Sequence, residues 1–503
     1  MSGSESERAG TEVELKLTFD PADASRILSH PVLTASDASR ETRDLISIYY
    51  DTGDDVLRQA GVFLRVRATG NGYVQTIKTA RDETQFLERR EWEQKVPTHE
   101  PDLDAAEGTA LAPLLTPEVR ANLRPRFHTR VRRQTFQMRR DGAEIELAID
   151  QGEITAGVTG TPVSELELEL KAGDKRELFR LAGELAETIP LNLNVKTKAE
   201  RGFELVDGGD HAVEKAGSIA ISPDMAVAEA FRTIARNCLR QIVVNAPAVR
   251  DENPEALHQM RIGLRRLRAG IALFADVVDD EVRARIGEEL KWITQELGPA
   301  RDLDVFAADV LEPLRAARPG DAEVAAAHRE FAARRDAAYA RAAGAVGSQR
   351  FRLVLVDIIG WIEVGHWAES DRAGASVAEH AAKELRRLRR QVKKRGANLR
   401  DLSAGERHRL RIRAKRLRYA TEFFAATFPG KENDERREKS LSALKDLQGA
   451  LGALNDIATR HIVLGEDKAP VRLETHTAEA EKRLEESERA YARFAKVKAF
   501  WKA

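Results

Sequence analysis

Polar and apolar residues alternate with period two through most of the first two hundred positions. In "TEVELKL" (11–17), side chains two apart share a strand face, so Glu12, Glu14 and Lys16 point one way and Val13, Leu15 and Leu17 the other. In "SELELEL" (164–170), Glu165, Glu167 and Glu169 share a face opposite three leucines. The same rhythm runs through "LISIYYD" (45–51), "VFLRVRA" (62–68), "YVQTIKT" (73–79), "ERREWEQKV" (88–96), "VRRQTFQMR" (131–139) and "EIELAIDQGEI" (144–154), predicting about eight strands. "GNG" (70–72) and "DG" (141–142) mark hairpin turns, and helical patterns occur only near 21–30 and 174–188. Many antiparallel strands with few helices predict a barrel or a curved sheet.

The period changes at Ser222-Pro223-Asp224, which reads as a helix start with serine at the N-cap and proline at the first helical position. Beyond it the pattern is helical to the end. The expected organisation is a disordered tail (1–10), a strand-rich domain (11–205), a linker "VDGGDHAVEKAGSIAI" (206–221) and a helical domain (222–503). The helical domain repeats itself. With a shift of 150 residues, 226–274 lies over 376–424 without a gap, and "HQMRIGLRRLR" (258–268) meets "HRLRIRAKRLR" (408–418). "LGPARDLDV" (297–305) is echoed by "LGALNDIAT" (451–459). Two four-helix-bundle-like repeats, about 222–365 and 372–503, are expected from duplication.

Charge sharpens the division. Residues 1–217 hold 29 basic and 39 acidic side chains, a net of −10, whereas 218–503 hold 52 and 43, a net of +9. An acidic half and a basic half suggest metal binding in one and polyanion binding in the other. The single cysteine, Cys238, excludes an intramolecular disulfide and a cysteine-rich metal cluster. There is no apolar run of membrane-spanning length, and the polar opening "MSGSESERAG" lacks a secretory signal. A cytoplasmic protein is expected.

One amphipathic strand would ordinarily turn its charges to water. Here the Glu165, Glu167 and Glu169 column repels itself unless a cation lies against it, and other strands carry the opposite sign: Arg65, Arg67, Lys78, Arg133. Closed into a barrel, these faces would line a lumen with carboxylates on one wall and cations on another. Carboxylate oxygens favour Mg²⁺ or Mn²⁺, and guanidinium and ammonium groups pair with phosphate oxygens. The lumen suits a metal-bound polyphosphate and the hydrolysis of a phosphoanhydride. No P-loop and no zinc-type ligand spacing is present.

The ordered set "EVELKL", "GVFLRVR" (61–67), Lys78, "RREWE" (89–93), Arg133, "IELAIDQGEI" (145–154), "ELELEL" (165–170) and "KAERGF" (198–203) resembles the CYTH superfamily, the triphosphate tunnel metalloenzymes. The resemblance implies an eight-stranded antiparallel barrel with a tunnel through it. It implies Glu12, Glu14, Glu167 and Glu169 as metal ligands, with Glu146 and Asp150 as helpers. It also implies Lys16, Arg65, Arg67, Lys78, Arg133 and Lys198 as the triphosphate grip. Glu12, Glu14, Lys16, Glu167 and Glu169 would form the catalytic core. Glu165 shares the glutamate column. Arg89, Glu91 and Arg201 stand open between salt bridges and direct roles.

In the repeated helices, His258, Arg261, Arg265 and Arg268 fall within an arc of roughly 80°, as do His408, Arg411, Lys415 and Arg418, with Leu267 and Leu417 opposite. The two histidines read equally as packing residues or as phosphate contacts. "KELRRLRRQVKKR" (383–395) adds another basic helix. This half resembles the CHAD domain, which implies a basic groove for inorganic polyphosphate, in solution or in granules. The matched residues include Arg266 and Arg416. In the second copy Asn455-Asp456 replaces the Arg-Asp of the first, so the halves need not bind equally. Aromatic residues are too scattered for base stacking, which disfavours nucleic acid, and no membrane partner is indicated.

The sequence thus predicts a β barrel joined to an all-α domain, with Mg²⁺- or Mn²⁺-dependent hydrolysis of inorganic triphosphate (PPPi) and polyphosphate binding. Thiamine- or nucleoside-triphosphatase, adenylate cyclase and non-catalytic polyanion binding remain alternatives, because the shared residues read the triphosphate and not its substituent.

Overall fold

The computed structural model describes residues 10–34, 40–70, 72–79, 87–209, 213–464 and 473–501, without the side chains of 11, 12, 88, 89, 455–464 and 473–479. The tail expected over 1–10 lies outside these residues except for Gly10, and so do the Glu12, Arg89, Asn455 and Asp456 side chains.

Eight long strands follow the predicted alternation: β1 (Gly10–Thr18), β2 (Arg40–Asp51), β3 (Val62–Thr69), β4 (Gly72–Thr79), β5 (Glu88–Val96), β6 (Arg124–Arg140), β7 (Ala143–Ala156) and β8 (Thr159–Ala172). Helices α1 (Ala24–Leu28), α2 (Pro31–Thr34), α3 (Val56–Gln59) and α4 (Pro117–Asn122) lie in their connections. The sheet order is β5-β4-β3-β2-β6-β7-β8-β1, and the first half of β1 pairs back onto β5 from Gly10↔Glu91 to Val13↔Glu88. Every pairing is antiparallel, and the β1–β5 pairing closes the sheet into the expected barrel. The second half of β1 takes a short ninth strand, β9 (Asn192–Asn194), on that side.

Both faces of the wall are buried. Leu15, Leu17, Leu166 and Leu168 turn outward, yet each is at most 1% exposed, because α5 (Arg176–Thr188) packs against β8 and buries Leu178, Leu181 and Leu185. On the opposite wall, Leu64, Val66 and Ile77 are sealed by Ala106, Leu111 and Val119. The alternation that reads as half-buried therefore separates an apolar outside from a charged inside.

Helix α6 (Lys198–Val206) packs on the barrel end. Thr197 and Glu200 form a capping box that fixes its first turn. Gly202 is required by close approach: a Cβ there would lie 2.1 Å from the Phe127 ring. Phe127 is fully buried and stacks on Tyr49 at 4.5 Å, with Phe203 edge-on at 5.1 Å.

The remaining chain is helical: α7 (Val227–Arg250), α8 (Pro254–Leu273), α9 (Glu281–Glu296), α10 (Gly298–Phe306), α11 (Glu312–Ala317), α12 (Ala322–Gly347), α13 (Gln349–Val364), α14 (Val377–Gly396), α15 (Ala404–Phe423), α16 (Lys431–Leu464) and α17 (Leu473–Lys496). The chain divides into two compact units. One comprises residues up to 216 with 238–264 and 281–365; the other comprises 217–237, 265–280 and 366–503. In the first, α13 packs against α5, α9 and α12. Asp304 of α10 accepts hydrogen bonds from Tyr339 (2.6 Å) and Arg335 (3.0 Å) of α12, a structural use for one acid of the "LGPARDLDV" motif. In the second, α14 to α17 pack in chain order. There the Val227 N–H donates to Ala375 (2.9 Å) and the Val377 N–H to Met225 (3.2 Å), around a bridge between Ala226 and Ser376. The 150-residue shift exchanges these two bonds, so a local two-fold axis passes between the starts of α7 and α14. No described helix is long and apolar enough to cross a membrane.

The Gly202 contact predicts that Gly202→Ala destabilises the protein by about 1–3 kcal/mol, the usual cost of overpacking. Urea unfolding measures it; an unchanged midpoint would show that Phe127 moves aside freely.

Candidate functional site

Closure brings the charged face of each strand into one interior. Across β1 and β8, Glu14 pairs with Glu169, Lys16 with Glu167 and Thr18 with Glu165. Across β7 and β8, Glu146 pairs with Glu169 and Asp150 with Glu165. Glu165 is fully buried, and Asp150, Glu14, Lys16 and Glu167 are 1–6% exposed.

Cations bind these acids at short range. Lys16 Nζ lies 2.8 Å from Glu14 and 2.5 Å from Glu167. Arg133 forks onto Asp150 with two 2.7 Å hydrogen bonds and also reaches Glu167. Lys198, the first residue of α6, touches three carboxylates: Glu165 at 2.6 Å, Asp150 at 2.8 Å and Glu167 at 2.9 Å. One turn along, Arg201 holds Glu165 at 2.7 Å and the Pro162 carbonyl at 2.6 Å. Burial alone would raise the Glu167 carboxyl, but Lys16, Lys198 and Arg133 outweigh it and hold it well below the usual range. Burial likewise opposes the low value of Asp150, which Lys198 and Arg133 maintain. Burial also disfavours the Lys198 ammonium, and Asp150, Glu165 and Glu167 hold it well above the ordinary lysine value.

The other wall is richer in cations. Lys78 pairs with Glu91 at 2.6 Å; Arg65 lies 3.7 Å from Glu93 and 3.9 Å from Glu91, and donates to Thr76. Arg67 donates to the Ser47 hydroxyl at 3.2 Å and has no carboxylate partner among the described residues. Burial and the charges of Arg65 and Arg133 push its guanidinium down to about 10. Such a group gains from an anion. Toward another part of the lumen, Lys171 bridges Glu169 (2.6 Å) and Glu146 (4.0 Å), and Gln137 donates to Glu146.

Asp150, Glu165 and Glu167 offer carboxylate oxygens within 4.8 Å of one another, a donor set that could hold a metal ion. Buried, hard and anionic, it fits a divalent cation in chemistry. The Lys198 ammonium lies against all three acids, so a metal there competes with it. The Glu12 side chain lies outside the described residues.

The repeated basic helices differ in detail. On α8, His258 is half-buried, and Arg261 lies against Gly298, where a Cβ would meet its guanidinium at 3.3 Å. On α15, Arg411 lies against Gly452 at the same distance, so the motif glycines leave room for an arginine in each copy. Arg265 Nε and Arg411 Nε are shielded from solvent without a hydrogen-bond partner among the described residues. His408, Arg268 and Arg416 are exposed and Lys415 is half-buried. Arg266 is only 4% exposed; it donates to Asn237 at 3.1 Å and lies over the Phe423 ring, so the structure brings it into the packing rather than to the exposed face. Arg418 pairs with Glu422 at 2.9 Å.

Two family models match the chain, the CYTH domain over residues 10–203 and the CHAD domain over 233–465. Residues 10–203 are a CYTH domain and residues 233–465 a CHAD domain. Over 202 residues the chain is 31% identical to the inorganic triphosphatase of Haemophilus influenzae, which is 39% of this chain and 54% of that protein. The chain thus spans about half the length of that relative. A crystal structure of the CHAD domain from the plant Ricinus communis is 30% identical and covers 58% of this chain and 99% of its own, with a TM-score of 0.48. The Hippeastrum adenylyl cyclase candidate HpAC1, with a dominant triphosphatase activity, is 18% identical and covers 38% of this chain and 95% of its own, with a TM-score of 0.28.

Within the CYTH domain, the structure gathers Glu14, Lys16, Arg133, Asp150, Glu167 and Lys198 into one network. It adds Glu165 and Arg201, which the alternation alone left undecided. In the CHAD domain it adds a cluster missed in the sequence. Burial and the charges of Arg395, Arg416 and Arg409 push the Arg413 guanidinium below its ordinary value. Positions 409, 413 and 416 follow helical spacing, a signal the sequence carried. The first copy has Gln259, Gly263 and Arg266 there.

Removing the ammonium in Lys198→Ala leaves three buried acids short of a partner, which should cost on the order of 3–5 kcal/mol at neutral pH in metal-free protein. The depressed carboxyls stabilise the fold above their unfolded pKa of roughly 4 and lose that contribution as pH falls through their folded values. In Lys198→Ala those folded values rise, so acid unfolding should begin at a higher pH than in wild type. Circular dichroism against pH reads this; coincident acid transitions would show that Lys198 does not neutralise the cluster.

Proposed function

We propose that the CYTH domain is a divalent-metal-dependent inorganic triphosphatase that hydrolyses PPPi to PPi and Pi, and that the CHAD domain binds inorganic polyphosphate. The observation that carries the first part is the closed barrel's interior, where the Asp150, Glu165 and Glu167 acids face a wall of cations that includes the half-buried Arg67, a guanidinium with no carboxylate partner among the described residues. That arrangement suits a ligand that is itself polyanionic and can share a metal with carboxylates.

Glu14, Glu167 and Glu169 would hold Mg²⁺ or Mn²⁺, with Asp150 and Glu165 beside them and Glu12 and Glu146 added by the sequence pattern. The metal, when bound, supplies charge neutralisation and lowers the pKa of water. Lys16, Arg65, Arg67, Lys78, Arg133 and Lys198 bind and orient the phosphoryl groups. Water oxygen attacks the terminal phosphorus, the bridging P–O bond breaks, and PPi leaves with the bond electrons. Charge gathering on the bridging and outer oxygens is met by fixed guanidinium and ammonium groups, which need little reorganisation at that moment.

Wild-type protein should release phosphate from PPPi only with a divalent cation, and Glu14→Gln or Glu167→Gln should abolish most of that release while the protein stays folded. Arg67→Ala should weaken PPPi binding by about 1.5–3 kcal/mol, the range for hydrogen bonds to charged groups. Parallel assays with ATP and thiamine triphosphate decide the substrate: faster turnover of either would displace PPPi, and full activity in excess chelator would end the metal role.

For the CHAD domain the supporting observation is that each copy of the basic helix carries an arginine with no carboxylate partner among the described residues, Arg265 on α8 and, at a different position of the repeat, Arg411 on α15. Long-chain polyphosphate should bind the full-length protein, and the affinity should fall steeply with salt as counterions are released. Arg411→Ala combined with Lys415→Ala should weaken binding without altering PPPi hydrolysis. Equal affinity for DNA at matched salt would leave only a general polyanion site.

A further inference from the structure

The barrel's Lys198 sits at the positive end of α6, an unfavourable place for a cation. It is held there because the α6 start is locked. The Thr197 hydroxyl accepts from the Glu200 N–H at 3.1 Å, and the Glu200 carboxylate accepts from the Thr197 N–H at 2.7 Å through Oε2. The other Glu200 oxygen is taken by a residue far along the chain. Arg240, on α7, donates from Nη2 to Glu200 Oε1 at 2.9 Å, from Nη1 to the Val195 carbonyl at 3.3 Å and from Nε to Glu214 at 2.7 Å. One guanidinium therefore grips both the capping acid of α6 and the backbone just before its cap, two and three residues from Lys198.

A cavity of about 320 Å³ is lined by Arg201, Glu204 and Leu205 of α6 and by Val243, Val244 and Pro247 of α7. The barrel side of α6 is set by the buried Ala199 and Phe203 and by the close approach of Gly202 to Phe127, and its first turn by the capping box and by the Lys198 and Arg201 ion pairs. Arg240 adds a tie from α7 at the end that carries Lys198, bonding the capping acid and the backbone before the cap.

We infer that Arg240, a residue of the helical half, is a positioning residue for the barrel's phosphate site: through Glu200 and Val195 it fixes the first turn of α6 and thereby the place of Lys198 among Asp150, Glu165 and Glu167. The inference rests on the reading of the barrel as the PPPi site. The repeat pairs Arg240 with Arg390 by the 150-residue shift, and the same residue type has thus acquired a barrel-directed task in the first copy.

The test uses full-length wild type, Arg240→Ala, Glu214→Gln, Lys198→Ala and the Arg240→Ala/Lys198→Ala double variant. Glu214→Gln weakens the Arg240–Glu214 pair without touching α6. Three readouts are taken: calorimetric PPPi affinity in metal-free buffer, KM and kcat for PPPi with Mg²⁺, and hydrogen exchange of the peptide covering 195–205. Arg240→Ala should weaken PPPi affinity and raise KM by roughly tenfold, the low end for outer partners of a charged site, and should speed exchange at 197–201. Glu214→Gln should stay near wild type, and the Arg240→Ala effect on affinity should vanish in the Lys198→Ala background. Unchanged affinity, KM and exchange in Arg240→Ala would overturn the inference. So would an equal loss in Glu214→Gln, which would make Arg240 a simple tie, or full additivity with Lys198→Ala. A wild type that ignores PPPi overturns the triphosphatase reading instead, and exchange at 197–201 still reports whether Arg240 holds α6.

Discussion

Charge enclosed within a closed sheet governs this protein. Four acids of the barrel interior, Glu14, Asp150, Glu165 and Glu167, are nearly or fully removed from water. Each would be prohibitively costly alone, and a buried ion of this kind persists only with close, well-formed partners. Lys16, Arg133, Lys198 and Arg201 are those partners, and the network they form ties β1, β6, β7, β8 and α6 together. The rest of the architecture follows from keeping that interior dry and fixed. The wall needs an apolar outer face, the outer face needs a cover, and α5 and the 103–119 region provide it. In the proposed triphosphate site, recognition would use groups already desolvated and oriented, where each electrostatic contact is stronger than it would be in water.

The barrel wall and α6 divide the labour. Strand registers place Glu14 against Glu169 and Asp150 against Glu165 with no freedom to drift. Lys198 and Arg201 come from a helix end, whose position depends on caps and on what packs behind it. Gly202 sets how near α6 comes to Phe127, and Arg240 reaches its cap from a helix that the sequence places in the other half. The cations that reach Glu165 are thus held by contacts distant in the chain, whereas the acids are held by neighbouring strands.

The CHAD domain shows how far a duplicated sequence keeps duplicated physics. The symmetric bonds at 225–227 and 375–377 survive in both copies, as do the close approaches of Arg261 to Gly298 and Arg411 to Gly452. Surface charge has diverged more. Arg266 is packed against Asn237 and Phe423, while its counterpart Arg416 is exposed beside Arg409, Arg413 and Arg395. Packing tolerates few alternatives at the centre of a helix bundle, and solvated arginines are far less constrained.

The sequence by itself determined the strand alternation, the change of period at 222, the duplication and the inward set of Glu14, Lys16, Glu167 and Arg133. These are local properties: a two-residue period assigns a face whatever the strand pairs with, and a helical repeat reveals itself by a shift. It did not determine that both faces of the strands would be buried, since burial of the outer face comes from α5 and from a segment with no strong pattern of its own. Nor did it decide Glu165, which looked like its neighbours in the column until Lys198 and Arg201 were seen to meet there. Arg240 and Arg266 mark the limit most clearly. Each is one arginine among many on an amphipathic helix, and only the packing of elements far apart in the chain decided that one would grip a capping acid and the other an asparagine and an aromatic ring. Side-chain partners across such separations are set by tertiary contact, which no local period records.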